Sequence, residues 1–455
     1  MMQMSLSEAA GRLGARQLGD DAVFARVGTD TRTLPEGALF VALKGPRFDG
    51  HDYLAAAQAR GAVGAMVERR LGSGLPLLLV ADTRLGIAEL ARTWRQQAAP
   101  RLLAITGSNG KTTVKEMAAA ILGRCDQTLA TRGNLNNDIG LPLTLLRLQG
   151  EGFAVVELGA NHPGEIASLS RMACPDVALL NNAGAAHLEG FGSIEGVARA
   201  KAEILDGLRE DGVFVYNAND PFAPLWRTLV GDRRTCSFGL GEAADVRSPE
   251  ADIEIHWRDG GFFNRFPVQT PEGPLEVELH LGGRHNRMNA LAALAACQVM
   301  GADAQAICQG LAGLQPVRGR LQPRPGMNGL HLIDDSYNAN PDSVAAAIQV
   351  LASAPGRRFL VLGDLAELGR EGMEQHARLG DMAREAGLDH LYCVGPMSRA
   401  AAERFGSGGY WLQDQMRLID AVMSEAGAGD FLLIKGSRAS AMDRVADALA
   451  SGEEH

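Results

Sequence analysis

Residues 102–122 constrain this chain most: the apolar run LLAIT passes directly into Thr106-Gly107-Ser108-Asn109-Gly110-Lys111-Thr112-Thr113, and a helical pattern follows to Leu122. A strand, a glycine-rich turn and a helix in that order predict a phosphate cradle. Glycines let backbone N–H groups turn inward, the helix N-terminus adds partial positive charge, and Lys111 neutralises phosphate oxygens. Thr112 offers a hydroxyl to a phosphate-bound Mg²⁺. The spacing departs from the common GxxxxGK[ST] pattern, because Ile105 stands where the first glycine would be. The loop implies nucleotide binding but does not select the reaction.

Around that loop the sequence divides into three blocks. Residues 1–81 mix short apolar runs (ALFVAL, AVGAMV) with helical patches, and LPLLLVAD closes them as a strand. Residues 82–313 open with a helix over Arg84–Gln97. Strands LLAIT, AVVELG and DVALLNNAG then alternate with helices, the first of these over Thr113–Leu122. Short apolar strands separated by amphipathic helices predict a parallel sheet covered on both faces. Between about 235 and 282 the pattern changes to alternating segments, DIEIHW and LEVELHL, which read as antiparallel strands before a helix over Arg287–Met300. Residues 314–455 restart the βα rhythm with HLIDDS, RRFLVLGD, HLYCVG and DFLLIKG. The expected fold class is α/β: a small N-terminal domain, a central parallel-sheet domain with an antiparallel sub-sheet, and a doubly wound Rossmann-like C-terminal domain.

Composition excludes several classes. The formal net charge of -10, with both signs mixed along the chain, argues against a nucleic-acid binder. No apolar run approaches the roughly 18 residues needed to span a bilayer, so no membrane insertion is expected. The start, MMQMSLSEAAGRLGARQLGDD, lacks a cationic region followed by an apolar core. Cys125, Cys174, Cys236, Cys297, Cys308 and Cys393 are scattered without a CxxC pair and read as reduced, mostly buried thiols. A cytoplasmic location is expected.

Ligands of open parallel sheets bind at the carboxyl ends of strands, and Thr112, Glu157 and His187 all map there. A hydroxyl, a carboxylate and an imidazole around phosphates suit Mg²⁺ with several waters retained. Lys201, among alanines in VARAKAEIL, reads on pattern alone as a surface lysine.

Together, GSNGKTT, ELGANHPGEI, NNAGAAH, ARAKAEI, HNRMNALAA and DDSYNANPDS resemble the Mur ligase family across essentially the whole chain. TDTR near the N-terminus, GALFVALKGPRFDGHDYL, TRGNLNNDIGLPLTLL, LGDLAELG and IKGSR are similar to the member that adds a dipeptide. The DNPR motif typical of the diamino-acid-adding member is absent. The resemblance implies an ATP-dependent ligase that joins UDP-MurNAc-tripeptide to D-Ala-D-Ala through an acyl phosphate. Another acid–amine ligase of the family, or a P-loop ATPase switch, is the competing reading. A monomer is the family precedent.

Residue by residue, the resemblance implies that Gly107, Ser108, Asn109, Gly110, Lys111, Thr112 and Thr113 hold the ATP phosphates. Thr112 and Glu157 would bind one Mg²⁺. Glu157, His187 and Lys201, a lysine usually carbamylated in this family, would hold a second. Asn286 and Asn289 would contact the base, Arg320 a phosphate and Asp335 the ribose, with Tyr337, Asn338 and Asn340 bordering the nucleotide or acceptor. Thr31, Arg32 and Lys44 would face the UDP moiety, and Asn134, Asn136 and Asn137 the sugar-peptide. Ser437 and Arg438 would lie on the dipeptide side. Closure of the last domain over the middle one would exclude water from the acyl phosphate.

Overall fold

The structure, a computed structural model, describes residues 3–72, 74–184, 188–251, 254–258 and 261–451. The chain forms two compact units: residues 1–183, 198–237 and 292–307 make the first, and 184–197, 238–291 and 308–455 the second.

The first unit holds two larger sheets besides the short pairs Met4–Ser5 with Val23–Phe24 and Lys44–Gly45 with Phe48–Asp49. The N-terminal one has five strands in the order Arg16–Leu18, Leu77–Leu79, Gly64–Val67, Ala38–Val41, Arg26–Gly28. All neighbours are parallel except the first pair. Ala38–Val41 and Gly64–Val67 are buried throughout, as continuous apolar runs must be when both faces of a sheet are covered. The second sheet carries the phosphate loop. Five of its strands are β1 (Arg101–Thr106), β2 (Thr128–Ala130), β3 (Phe153–Glu157), β4 (Val177–Leu180) and β5 (Val213–Asn217), in spatial order β2-β3-β1-β4-β5 and all parallel, and beyond β5 the sheet continues with Arg234–Leu240. Between them run α1 (Lys111–Leu122), α2 (Glu165–Ala173) and α3 (Ile194–Ala202). Strand β1 is central, so the loop at its carboxyl end lies between the ends of β3 and β4, where a βαβ sheet collects its ligands.

The second unit contains an antiparallel hairpin, β6 (Gly261–Thr270) with β7 (Gly273–Leu279), flanked by Val246–Ser248 and His256–Arg258. It also contains a six-stranded sheet in the order Gln322–Pro325, β8 (His331–Asp335), β12 (Phe431–Lys435), β9 (Arg358–Gly363), β10 (His390–Val394), β11 (Gly409–Leu412). The five labelled strands are parallel. Helices after β8, β9 and β10 bury Val344, Leu379 and Ala401 on one face, whereas those after β11 and β12 bury Leu418, Val422 and Val445 on the other. This is the expected doubly wound arrangement.

Several boundaries differ from expectation. The loop helix starts at Lys111 rather than Thr113, and DVALLNNAG is a strand only to Leu180. Asn181 and Asn182 leave the strand to bond the phosphate loop. The helix expected over Arg287–Met300 spans Arg284–Val299. Strands β2, β5, β11 and Gln322–Pro325 were not legible, because three to five residues are too few for a reliable period and only neighbouring strands hold them. In DIEIHW, Asp252 and Ile253 lie outside the described residues, and the strand runs from His256 to Arg258. All six cysteines are free, but only Cys297 and Cys393 are buried, and Cys125 is exposed in the turn after α1. The expectation of mostly buried thiols is therefore corrected. Among the described residues, no helix is long and apolar enough to cross a membrane.

Candidate active site

Two glycines shape the phosphate loop. Gly110, the residue before α1, has φ 79°, a left-handed conformation that a side chain disfavours. A Cβ on Gly107 would meet Asn181 Cβ at 3.1 Å and the Asn182 nitrogen at 3.2 Å. The next strand end then holds the loop in shape. Ser108 N–H donates to the Asn182 carbonyl (3.0 Å), and Asn109 N–H donates to Asn182 Oδ1 (2.8 Å). The Asn109 carbonyl accepts from Nδ2 of Asn181 (3.0 Å) and of Asn182 (3.1 Å). Lys111 curls back, its Nζ donating to the carbonyls of Gly107 (2.7 Å) and Ser108 (3.3 Å). A cation and a helix N-terminus therefore converge on a rigid loop, the requirement for holding a polyphosphate. Thr113 lies one residue further along the same helical turn.

Beside the loop, Glu157 ends β3 and is only 3% exposed. Its Oε2 accepts from the Thr112 hydroxyl at 2.9 Å and its Oε1 from Asn136 Nδ2 at 2.9 Å. Lys201 is buried near the end of α3. Burial, then the Lys111 charge, pushes its ammonium down to about 7, against the pull of Glu165, Glu203 and Glu157. The Glu203 carboxylate accepts the N–H groups of Gly164 (2.7 Å) and Ala167 (3.2 Å) at the start of α2. Among the described residues, no three His, Cys, Asp or Glu side chains converge as a metal cage. His187 lies outside the described residues. The hydroxyl of Thr112 and carboxylate of Glu157, hard oxygen donors beside a phosphate loop, fit Mg²⁺, which takes few protein ligands and keeps waters.

A second cluster lies in the second unit. Arg320 stacks its guanidinium 4.4 Å from the Tyr337 ring centroid, and Arg438 lies 5.6 Å from the same ring. Asp335, at the end of β8, accepts from Lys435 Nζ at 2.5 Å and from Leu321 N–H at 3.1 Å. Burial pushes the Asp335 carboxyl up, and the Lys435 ammonium opposes it. Lys435 also donates to the Asn338 carbonyl at 3.1 Å, and Arg438 N–H donates to Asn338 Oδ1 at 3.3 Å. Ser437 is buried with its hydroxyl on the Asp364 carbonyl at 2.6 Å. Asn340 forms a capping box with Ser343 at the start of the Pro341–Ala352 helix. Asn286 and Asn289 are both buried, and Asn289 Nδ2 donates to Asn286 Oδ1 at 3.2 Å. Beside them, burial and then the Lys435 charge push His285 down to about 4.

The structure thus brings Lys111, Thr112, Asn136, Glu157 and Lys201 together in one unit, and Arg320, Asp335, Tyr337, Asn338 and Arg438 together in the other. Asn134 and Asn137 are exposed in the loop that carries Asn136, and Asn137 Oδ1 accepts from Gly140 N–H at 2.8 Å to start a short helix. In the N-terminal sheet region, Arg32 pairs with Asp30 at 2.6 Å, Thr31 is half-buried and Lys44 is exposed on a short hairpin. Sequence reasoning did not single out Asn181, Asn182 or Lys435. A usable signal existed: each polar residue directly follows or ends an apolar parallel strand, where ligands collect.

Three family descriptions match successive segments: "Mur ligase family, catalytic domain" over residues 23–76, "Mur ligase middle domain" over 105–297, and "Mur ligase, glutamate ligase domain" over 319–438. The chain is 47% identical to the UDP-N-acetylmuramoyl-tripeptide--D-alanyl-D-alanine ligase of Escherichia coli (strain K12), with 99% of each covered. It resembles a crystal structure of MurF from Acinetobacter baumannii with a TM-score of 0.90 and 36% identity, covering 98% of this chain and 99% of that one. It also resembles the MurF ligase from Thermotoga maritima in complex with ADP, with a TM-score of 0.81 and 32% identity, covering 93% and 96%. With near-complete coverage of such relatives and 47% identity to one of them, the chain belongs to the Mur ligase family.

Proposed function

We propose that this chain is an ATP-dependent ligase that adds D-Ala-D-Ala to UDP-MurNAc-tripeptide, giving ADP, phosphate and the pentapeptide precursor of peptidoglycan. The observation that carries the reading is the Thr112–Glu157 contact beside the Lys111 loop, which sets a carboxylate suited to Mg²⁺ next to a glycine-rich strand-to-helix turn. The names of the relatives support the choice of substrates. Residues 1–81 would take the UDP-sugar, 82–313 the nucleotide, and 314–455 the amine and the far side of the ATP. The protein would act in the cytoplasm as a monomer.

In the first step the tripeptide's terminal carboxylate oxygen attacks the γ-phosphorus, and the bond from that phosphorus to the β–γ bridging oxygen breaks to release ADP. Two anions must approach, so the phosphate oxygens need cations to neutralise them, a role for Lys111 and, as the resemblance implies, for Arg320. Thr112, Glu157, His187 and Lys201 would hold two Mg²⁺ ions, which supply further charge neutralisation when bound. Lys201 reaches that role as a carbamate, formed when its neutral amine takes up carbon dioxide and loses a proton. Asn134, Asn136 and Asn137 orient the sugar-peptide, and Thr31, Arg32 and Lys44 the UDP moiety. In the second step the free amine of the dipeptide attacks the acyl carbon, and the tetrahedral intermediate expels phosphate. Ser437 and Arg438 bind the dipeptide, Asn286, Asn289 and Asp335 the nucleoside, and Tyr337, Asn338 and Asn340 border it.

The test is phosphate release with ATP, Mg²⁺ and UDP-MurNAc-tripeptide, with and without D-Ala-D-Ala, and product mass. Release that requires both substrates and yields the pentapeptide is expected. Release that responds to a single amino acid instead would move the chain to a sister activity, and release needing neither would make it an ATPase switch.

A further inference from the structure

Helix α1 carries a second lysine whose setting the phosphate loop does not explain. Lys115 is only 1% exposed, yet it ends in an ammonium. Its Nζ donates to the Thr131 carbonyl at 2.7 Å and lies 2.5 Å from Oε1 of its neighbour Glu116. Burying a charge there costs stability that a leucine or methionine would not, so packing alone does not account for it.

Thr131 begins the loop that leads to Asn136, and that loop is stitched to β3 at both ends. Thr131 N–H donates to the Val155 carbonyl at 3.0 Å, and Thr131 Oγ1 accepts the Glu157 N–H at 3.1 Å. At the far end, Asn136 Nδ2 donates to Glu157 Oε1, while the Asn136 carbonyl accepts from Gly159 N–H at 2.9 Å. A Cβ on Gly159 would lie 2.9 Å from the Asn136 side-chain amide, so a larger residue there would displace that amide from Glu157. Glu157 is therefore gripped at its N–H and at one oxygen by the Thr131–Asn136 loop, and at the other oxygen by Thr112. Lys115, one turn beyond Thr112 on the same helix, ties that loop to α1.

We propose that Lys115 is a positioning residue: through Thr131 it holds Glu157 and Asn136 in register with the phosphate loop, so that the metal-binding carboxylate and the acceptor loop meet the nucleotide in one geometry. The proposal rests on Glu157 serving Mg²⁺-bound nucleotide.

The experiment compares Lys115→Met, Thr131→Val and Thr131→Ser with the parent chain. The readouts are equilibrium ADP binding against Mg²⁺ concentration, thermal unfolding without ligand, and kcat and KM for ATP. Lys115→Met and Thr131→Val should each need about 10-fold more Mg²⁺ for half-maximal ADP binding, the usual loss when an outer-shell partner is removed. Their kcat should fall about 100-fold, as for a reacting group misplaced by about 1 Å. KM for ATP should stay within about threefold, because Lys111 and its loop are untouched. Thr131→Ser keeps the hydroxyl and should restore the parent Mg²⁺ dependence. Variants that melt earlier but bind Mg²⁺ and ADP and turn over as the parent would overturn the proposal and make Lys115 merely structural. Thr131→Val removes only the hydroxyl that accepts the Glu157 N–H and leaves the Lys115 bond to the Thr131 carbonyl, so if Lys115→Met does not fold, Lys115→Gln, a shorter neutral side chain, takes its place with the same expected and overturning outcomes. A parent chain that binds ADP with Mg²⁺ but ignores D-Ala-D-Ala would overturn the substrate reading alone, leaving the Mg²⁺ comparison to judge Lys115.

Discussion

The Thr112 hydroxyl and Glu157 Oε2 lie 2.9 Å apart, although 45 positions separate them in sequence. One residue opens the helix after β1 and the other ends β3, the strand paired with β1 in parallel register. The contact joins the glycine-rich turn proposed to hold phosphate to a carboxylate whose oxygens suit Mg²⁺. Glu157→Gln keeps the shape and the hydrogen bond but removes the charge. It should lower D-Ala-D-Ala-dependent phosphate release by about 100- to 1,000-fold, the scale of losing one aimed electrostatic partner. The thermal midpoint should move little; unchanged release would sink the metal-site assignment.

Lys111→Ala removes both the charge proposed to neutralise phosphate and two hydrogen bonds to the loop carbonyls. Ligation should be abolished, with ADP binding weakened by at least about 10-fold, while circular dichroism reports an intact fold. Normal turnover by this variant would refute the phosphate-loop reading.

Asp335 and Lys435 form a buried ion pair at the ends of adjacent parallel strands. Lys435→Met should destabilise the chain by about 3–5 kcal/mol, because a buried carboxylate is left without its counter-ion. The double variant Lys435→Met/Asp335→Asn should recover much of that loss. Denaturant unfolding of the four proteins measures it, and additive losses would contradict a coupled pair.

His285 supplies a pH dependence with a definite sign. Its folded value, about 4, lies below the ordinary 6.5, so between those values the unfolded chain binds the additional proton. Its contribution to stability is complete above pH 6.5 and is lost as pH falls through about 4. His285→Gln should therefore show a shallower fall in thermal midpoint over that window than the parent chain. Parallel curves would show that the ring is not held neutral by its surroundings.

Much of the candidate site was legible because its chemistry is local. Gly107, Gly110, Lys111 and Thr112 sit within one strand-to-helix turn, where spacing and geometry are nearly the same thing. Glu157 could be placed at a strand end by the apolar run before it. Lys201 was different: its pattern suggested the surface, yet it is 2% exposed and surrounded by charges from Lys111, Glu157, Glu165 and Glu203. Asn136 is expected near the sugar-peptide, and its amide also bonds Glu157. Asn340 was expected to border the ligand, and its side chain also caps a helix.

By itself, the sequence determined the α/β class, the phosphate loop and the doubly wound C-terminal block, because these follow from short-range periodicity and from turns that demand glycine. Tertiary structure decided what no window along the chain contains. It inserted β12 between β8 and β9, so that Lys435 meets Asp335 across 100 positions. It also buried Lys115 and Lys201, whose flanking residues do not announce a core. The physical reason is that burial and charge coupling depend on which strands become neighbours, and that choice is made by packing both faces of a sheet rather than by any local propensity.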